Sequence, residues 1–409
     1  HRSLNVSTHF TLVGASSVDD HGRFVYEHYI GGLPQVHEGN FLDNLNQIIR
    51  EQDIAYVIPA HDDVVLALAK AQSEGKLACP VITSEVATCE VARSKRKTYQ
   101  KFMGQLPVPH LYEGAERVGD DDLPVFLKPD VGQGSKGTHV VKSREELNFL
   151  TGQQTELLVL EYLPGNEYTI DCFTNRDGKL LYAQGRERKR IQNGISVDSV
   201  PVNDERFKRY AEIINTHVSL RGTWFFQLKA REDGELVLLE FAPRIAGTMG
   251  LSRGLGVNLP LLSLFDADGV EVSITPNTYE LEIDRALENK FRHNLTYRHV
   301  YLDFDDLVIV NGKVNTRVMA FVYQCINNGV EIHLLTRHRE VLQDTLAKHR
   351  LTGLFNELIQ IAESDEKTDY ITEKDAIFID DSFAERQKVQ QQHGLPTFDG
   401  HMIEVLMEQ

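Results

Sequence analysis

The chain has 409 residues, 43 Lys and Arg against 60 Asp and Glu, and a formal net charge of −17, with 41% hydrophobic and 25% charged residues. That length exceeds one ordinary core and predicts two or three domains. The acidic excess argues against nucleic acid or an anionic membrane as partner, and no apolar run approaches the ~18 residues of a membrane span.

From residue 10 to residue 83 short β-branched runs alternate with helical patterns. "FTLVGASS" reads as a strand, "FLDNLNQIIREQ" as a helix, and "IAYVIPA" as a continuous buried strand. "HDDVVLALAKAQSEG" reads as a helix capped by Asp62 or Asp63 and stopped at Gly75, and "CPVIT" as a further strand. This βαβ alternation predicts a small doubly wound parallel sheet over residues 1–90, with a first strand and its glycine turn expected upstream of His1. The four cysteines include no CxxC pair and the 16 histidines no HExxH spacing. With no signal peptide at the start, a reducing cytoplasmic setting is expected.

Residues 91–292 change pattern. "EVARSKRKTYQKFMGQ" reads as one helix, and "LPVFLKP" and "THVVKS" as arms of a hairpin around "DVGQGSKG". "LLVLEYLPGNEYTIDCFTN" and "KLLYAQGRERKRI" continue as antiparallel strands, and "TWFFQLKAREDGELVLLEFAPR" forms a hairpin turning at Asp233-Gly234. Residues 293–409 return to alternation, with strands in "HVYLDFDDLVIV", "VEIHLLT" and "DAIFIDDS" and a helix in "TRVMAFVYQCINNG". Three domains are therefore expected: 1–90, 91–292 and 293–409. The fold class is α/β and α+β multidomain.

The glycine loop 132–137 is not a Walker P-loop, because Gly137 is followed by Thr138 and a strand pattern rather than by Lys-Ser/Thr and a helix. Backbone N–H groups of such a loop can still surround phosphate oxygens. Taken alone, the loop reads equally as a mobile surface turn. Glu240 in the apolar run "LVLLEFA" points to a metal, since an unpaired carboxylate there is costly to bury.

Lys95, Lys128, the loop, "LEYLPGNE" and "LLEFAPRIAG" stand in the order and spacing of the ATP-grasp superfamily, and residues 10–290 resemble its carbamoyl-phosphate-synthetase-like and amino-acid-ligase branches. The resemblance implies ATP and Mg²⁺, with Mn²⁺ as an alternative ion. It implies that Lys95 and Lys128 reach the α- and β-phosphates and that Gly132, Gly134, Ser135 and Gly137 lie in a lid over the triphosphate. Glu161, Tyr162 and Leu163 would read adenine, Glu167 the ribose, Gln227 and Glu240 would hold the metal, and Arg244 would grip the transferring phosphoryl group. Ala242 stands where the family often has a ligating Asn. Arg188 and Arg190, sharing a strand face by the period of two, read either as holders of an anionic substrate or as a solvated basic strand.

"YLDFDDLVIV", with Thr336, Lys367 and Asp380-Asp381 after it, resembles the haloacid dehalogenase (HAD) superfamily, in a form with little room for a cap domain. The resemblance implies a C-terminal capless HAD-like Rossmannoid domain. Asp303 would be the nucleophile, Asp305 the general acid, Thr336 and Lys367 phosphoryl clamps, and Asp303, Asp305 and Asp380 the Mg²⁺ ligands. Clustered carboxylates require a cation on electrostatic grounds alone. Leu307 departs from the usual Thr or Val. The implied partners are small-molecule carboxylate, amine and phosphate-ester substrates, and relatives leave room for a homodimer. Two other functions stay open: carbamoyl-phosphate-synthetase-like phosphorylation of a carboxy or carbamate substrate, and a nucleotide sensor or scaffold with inactive sites.

Overall fold

The computed structural model describes all residues except positions 6, 133, 154, 155 and 409. The chain divides into two compact units, His1–Leu287 and Glu288–Gln409.

The first unit opens with two short parallel strands, Val13–Ala15 and His28–Ile30. Helix Phe41–Glu51 follows, burying Phe41, Leu45 and Ile49 at one-turn spacing against Leu68 and Val81. The expected strands in "IAYVIPA" and "CPVIT" are not formed as such: a single parallel bridge joins Val57 to Val81. Pro59 and Pro80 each lack the N–H that a longer ladder needs. Helix Asp62–Ser73 is capped by His61, whose Nδ1 accepts from the Asp63 N–H at 3.4 Å, rather than by Asp62 or Asp63.

The long helix expected from residue 90 is two helices, Val86–Arg93 and Lys95–Phe102, parted at Ser94. The Ser94 hydroxyl accepts from the Lys97 N–H at 3.1 Å, which fixes Lys95 in the first turn of the second helix. Two antiparallel sheets come next. The smaller has the order Leu111–Tyr112, Leu157–Glu161, Val125–Pro129, His139–Val141. The larger runs Leu236–Ala242, Gly222–Ala230, Glu167–Thr174, Leu180–Gln192, Ile195–Val202, Ile283–Asp284. One face of the larger sheet, with Trp224, Phe226, Leu228 and Ile170, packs on Phe207, Tyr210, Ala211 and Ile214 of helix Glu205–His217. Strand alternation then sends Gln227, Thr169, Asp171 and Arg186 to the opposite face. That face is apolar at one end, where Phe173 and Phe225 pack on Met249 and Leu259, and polar at the other, where the candidate ligand residues gather.

The second unit is a five-stranded parallel sheet in the order Glu357–Gln360, Glu331–Thr336, His299–Leu302, Ala376–Ile379, Thr397–Phe398. Its two faces are covered by separate apolar clusters, as a parallel sheet requires. The strand expected through "HVYLDFDDLVIV" stops at Leu302, and Asp306 has a φ of 55° in the turn that follows. A small hairpin, Ile309–Val310 with Lys313–Val314, precedes the next helix. Leu307 is buried in the core there.

Candidate functional site

In the first unit a charged row crosses the polar face. The Lys95 ammonium donates to the Gly132 carbonyl at 3.1 Å and lies 3.8 Å from the Glu240 carboxylate. Glu240 stands directly across from Gln227 in the hairpin register. Arg188 donates to the Gln227 side chain at 3.2 Å, to the Gly194 carbonyl at 2.8 Å and to Glu167, which also faces Lys229 at 3.8 Å. The glycine loop rests on the tip of the neighbouring hairpin. A Cβ on Gly194 would stand 2.3 Å from the Gly134 carbonyl carbon, and Gly194 has a φ of 73°. Gly132, Gly134, Ser135 and Gly137 are described here, whereas position 133 lies outside the described residues.

Lys128 sits in the middle of this row, 7% exposed, with its ammonium 5.4 Å from the Tyr99 ring centroid. Burial pushes its pKa down to about 8, with Glu240 opposing and Lys95 reinforcing the shift. The unfolded chain thus holds a proton that the folded chain has lost between about pH 8 and the ordinary lysine value near 10.4. The stability penalty of this charge is full below the folded value and fades as pH rises toward the unfolded one. A phosphate beside Lys128 reverses the shift. ATP binding at about pH 9 is therefore expected to take up close to one proton, read from the dependence of calorimetric heats on buffer ionisation. Lys128→Met should abolish the uptake and weaken ATP binding roughly tenfold. Wild-type heats independent of buffer would remove Lys128 from the nucleotide contacts.

Other expected site residues are engaged elsewhere. The Glu161 carboxylate accepts from Arg231 at 2.6 and 3.1 Å and from the His110 N–H at 2.9 Å. Burial would raise its pKa, but these donors outweigh burial and hold it below the usual range. Glu161, Tyr162 and Leu163 lead from the small sheet toward the large one, in a connection where Gly165 lies so close to Ala230 that a Cβ would stand 2.6 Å from it. Arg244 is clamped by Asp62 at 2.5 and 2.8 Å and stacks at 5.1 Å on Phe225, at the end of the polar face. Ala242 pairs across from Phe225 and is buried. Arg190 does not share the setting of Arg188: register irregularities flank it, and it pairs with Asp284 at 2.6 Å on an exposed edge.

Residues 153–288, 136 positions, match a family described as ATP-grasp in the biosynthetic pathway with Ter operon. Among solved structures, the chain resembles the biotin carboxylase domain of Hydrogenobacter thermophilus 2-oxoglutarate carboxylase, solved with MgADP, ADP and bicarbonate, at a TM-score of 0.53 and 14% identity. That match covers 63% of this chain and 63% of the other. Biotin carboxylase from Campylobacter jejuni matches at 0.53 and 13%, covering 64% and 66%, and Staphylococcus aureus N5-carboxyaminoimidazole synthetase at 0.52 and 13%, covering 64% and 71%. The first unit has the ATP-grasp fold. The chain spans just under two thirds of the length of the two carboxylases. No curated protein matches it closely enough to count as a relative.

In the ATP-grasp unit, sequence reasoning missed Asp171 and Arg186. They form a buried ion pair at 3.0 and 3.2 Å, which the Ser252 hydroxyl joins at 3.2 Å. Their signal was available: Arg186 precedes Arg188 by the strand period, and Asp171 lies in an apolar run much as Glu240 does. Among the described residues, Nη1 of Arg186 and Nε of Arg188 are buried without a hydrogen-bond partner. Such donors are costly to leave unmade and suit an anionic oxygen.

The matched family segment stops at residue 288, and the second unit is read from its own geometry. Asp303, Thr336 and Asp380 lie at the carboxyl ends of three adjacent parallel strands, where the strand order reverses. The buried Lys367 ammonium donates to Asp303 at 2.7 Å and to Asp380 at 2.6 Å. Asp303, Asp380 and Asp381 each offer an oxygen within 4.8 Å of the others. Burial raises the Asp303 pKa; Lys367 opposes the shift and Asp380 adds to it. Lys367 is itself raised: burial works against its charge, and the two carboxylates prevail. One ammonium faces two buried carboxylates with Asp381 beside them, so the cluster is net negative wherever Asp303 is ionised. Asp305, more exposed, accepts from His338 Nδ1 at 3.0 Å, and His338 Nε2 bonds Thr345 at 2.9 Å. Nothing in the sequence around His338 marked that contact.

Proposed function

We propose that the protein is an ATP-dependent carboxylate–amine ligase working through an acyl phosphate, joined to an Mg²⁺-dependent phosphatase of the HAD type. The observation that carries the ligase is the convergence of Lys95, Lys128, Gln227, Glu240 and Arg188 on one polar sheet face beside the glycine loop. The fold supports it.

In this reading Lys95 and Lys128 hold the α- and β-phosphates, and the backbone of Gly132, Gly134, Ser135 and Gly137 covers them. The connection Glu161–Leu163 offers its backbone to adenine, and the Glu161 side chain braces that connection through Arg231. Glu167 takes the ribose hydroxyls. Gln227 and Glu240 supply oxygen donors on paired strands, and Ala242 supplies none, a set that fits Mg²⁺ or Mn²⁺ with several retained waters. The ion would neutralise phosphate charge. Arg244, oriented by Asp62, meets the transferring phosphoryl group. The substrate carboxylate oxygen attacks the γ-phosphorus and ADP leaves. An amine then attacks the acyl carbon and expels phosphate. Arg186 and Arg188, with their unmet donors, position the carboxylate.

In the second unit Asp303 attacks the phosphorus of an ester while Asp305 protonates the leaving oxygen, and water later attacks the phosphoaspartate with Asp305 as base. Thr336 and Lys367 hold the phosphoryl oxygens. Asp303 and Asp380, with Asp381 beside them, would offer the oxygens for an Mg²⁺ ion, and Asp305, held by His338, stays free for proton transfer.

Bicarbonate phosphorylation, the carboxylase-like alternative, shares these residues, and a sensor with inactive sites would keep only the binding. The test is ADP release by the Asp303→Asn protein, with carboxylates including the amino acids and bicarbonate, each with and without amines. ADP that needs one carboxylate and one amine together is the expected result. ADP with bicarbonate alone would establish the carboxylase-like reaction, and none with any pair would sink the ligase.

A further inference from the structure

The opposite end of the second unit's sheet carries a cluster that the phosphatase reading does not use. His299 and Glu331 open adjacent parallel strands in register, and His333 and Glu357 pair across the next two. The register therefore brings both imidazoles and both carboxylates to the amino-terminal edge of the sheet. Asp303, four residues beyond His299, stands roughly 13 Å away along the strand direction.

His299 Nδ1 and His333 Nε2 are 3.1 Å apart. His333 Nδ1 meets Glu357 at 2.8 Å, so it carries the proton, and Nε2 presents a lone pair. Two carboxylates flank His299, with Glu331 3.6 Å from Nδ1 and Glu373 3.7 Å from Nε2. With its proton on Nε2, toward Glu373, neutral His299 points its Nδ1 lone pair at the lone pair of His333. With its proton on Nδ1, it turns a bare Nε2 toward a carboxylate. Either neutral form leaves one repulsive contact. Among the described residues, none of Glu331, Glu357 and Glu373 has a Lys or Arg within 4.0 Å. Three carboxylates and two imidazoles thus converge without a resident cation.

We propose that His299 Nδ1, His333 Nε2 and a Glu331 oxygen form a binding site for a borderline divalent metal of the Zn²⁺ class, its fourth position taken by water. The three ligand atoms lie within 4.8 Å of one another. Donors about 2.0–2.1 Å from a tetrahedral Zn²⁺ stand about 3.4 Å apart, close to the spacings seen here. The outer shell is also that of a metal site. Glu357 bonds the other nitrogen of His333, the arrangement that fixes tautomer and strengthens the donor, and Glu373 stands 3.7 Å from the other nitrogen of His299. Tyr301 orders it further: its ring stacks on His333 at 4.7 Å, and its hydroxyl accepts the N–H groups of Thr372 and Glu373 at 3.1 and 3.2 Å. Two nitrogen donors favour Zn²⁺, Co²⁺ or Ni²⁺ over Mg²⁺, so this site and the oxygen-lined cluster at Asp303 and Asp380 select different ions.

The test uses the full-length protein, stripped with chelator and dialysed against Zn²⁺ in excess Mg²⁺, which occupies the carboxylate sites. Wild type should hold one more zinc equivalent than His299→Gln, with at least a hundredfold loss of affinity in that variant, and Co²⁺ in its place should give the intense visible absorption of four-coordinate cobalt. Glu331→Gln, at an exposed position, should weaken binding roughly tenfold and carries the test should His299→Gln fail to fold. Asp380→Asn should keep the extra equivalent. Equal zinc uptake by wild type and both ligand variants, or no uptake by wild type, overturns the proposal. In that case the edge is a proton-bridged histidine pair.

Discussion

Glu240→Ala is expected to lower ATP turnover by about 10²–10³-fold while ATP itself still binds. The substrate-independent measurement is the gain in ATP affinity on adding Mg²⁺, which wild type should show and the variant should lose. Equal Mg²⁺ dependence in the two proteins would sink the metal assignment at this hairpin. The size of the effect follows from how little else is available. Glu240 supplies the only carboxylate of the proposed ligand set, opposite the neutral Gln227, and Ala242 adds no donor. Lys95 lies 3.8 Å from Glu240, so removing the carboxylate also leaves an ammonium beside the ion without its counter-charge. The alanine variant therefore loses a ligand and gains a repulsion. A sensor with an inactive site has no turnover for the variant to lose.

What the sequence disclosed depended on how local the cause was. The hairpin from Thr223 to Pro243 was legible because strand alternation and an Asp-Gly turn are both local, whereas the facing of Gln227 and Glu240 came only from the family resemblance and is set here by a register shift between Gln227 and Leu228. The second unit's strand ends were legible for the same reason: "YLDFDD" and "IFIDDS" switch from apolar to acidic at the residue where the strand stops. Misreadings arose where pairing across the fold outweighed local pattern. Apolar runs at "IAYVIPA" and "CPVIT" resembled strands, but the prolines within them decided how much ladder could form. Arg188 and Arg190 appeared equivalent by period two. The irregular pairing around Arg190 broke that period and sent it to Asp284. Partners distant in sequence were invisible: Asp62 on Arg244 and Arg231 on Glu161 span 182 and 70 residues. The same holds for Asp171 with Arg186 and for the imidazole pair at the sheet edge, since both require strand register.

Lys367→Met should destabilise the second unit by about 3–5 kcal/mol in the absence of divalent metal, the cost of leaving a buried charge group without its partner. Asp303 and Asp380 are 6% and 0% exposed, so neither carboxylate can turn to water when the ammonium is gone. Mg²⁺ should restore much of the loss, because the same oxygens that bond Lys367 can accept an ion. The pH dependence has a fixed sign. Burial raises the Asp303 pKa, so its contribution to stability is full below the unfolded carboxylate value near 3.9 and is lost as pH rises through the raised folded value. Lys367 opposes that rise in the wild type. The variant should therefore lose stability over a wider pH range, and acid should narrow its gap to wild type. Urea unfolding at about pH 5.5 and pH 8, with and without Mg²⁺, reads all of this. If the proposed phosphatase reading holds, that activity should fall by about 10²–10³-fold even where Mg²⁺ restores the fold, since the ion cannot replace the ammonium at the phosphoryl oxygens. A variant as stable as wild type at the higher pH without Mg²⁺ would mean that the two aspartates share a proton. In that case the net negative charge that draws a cation to this strand end would be absent.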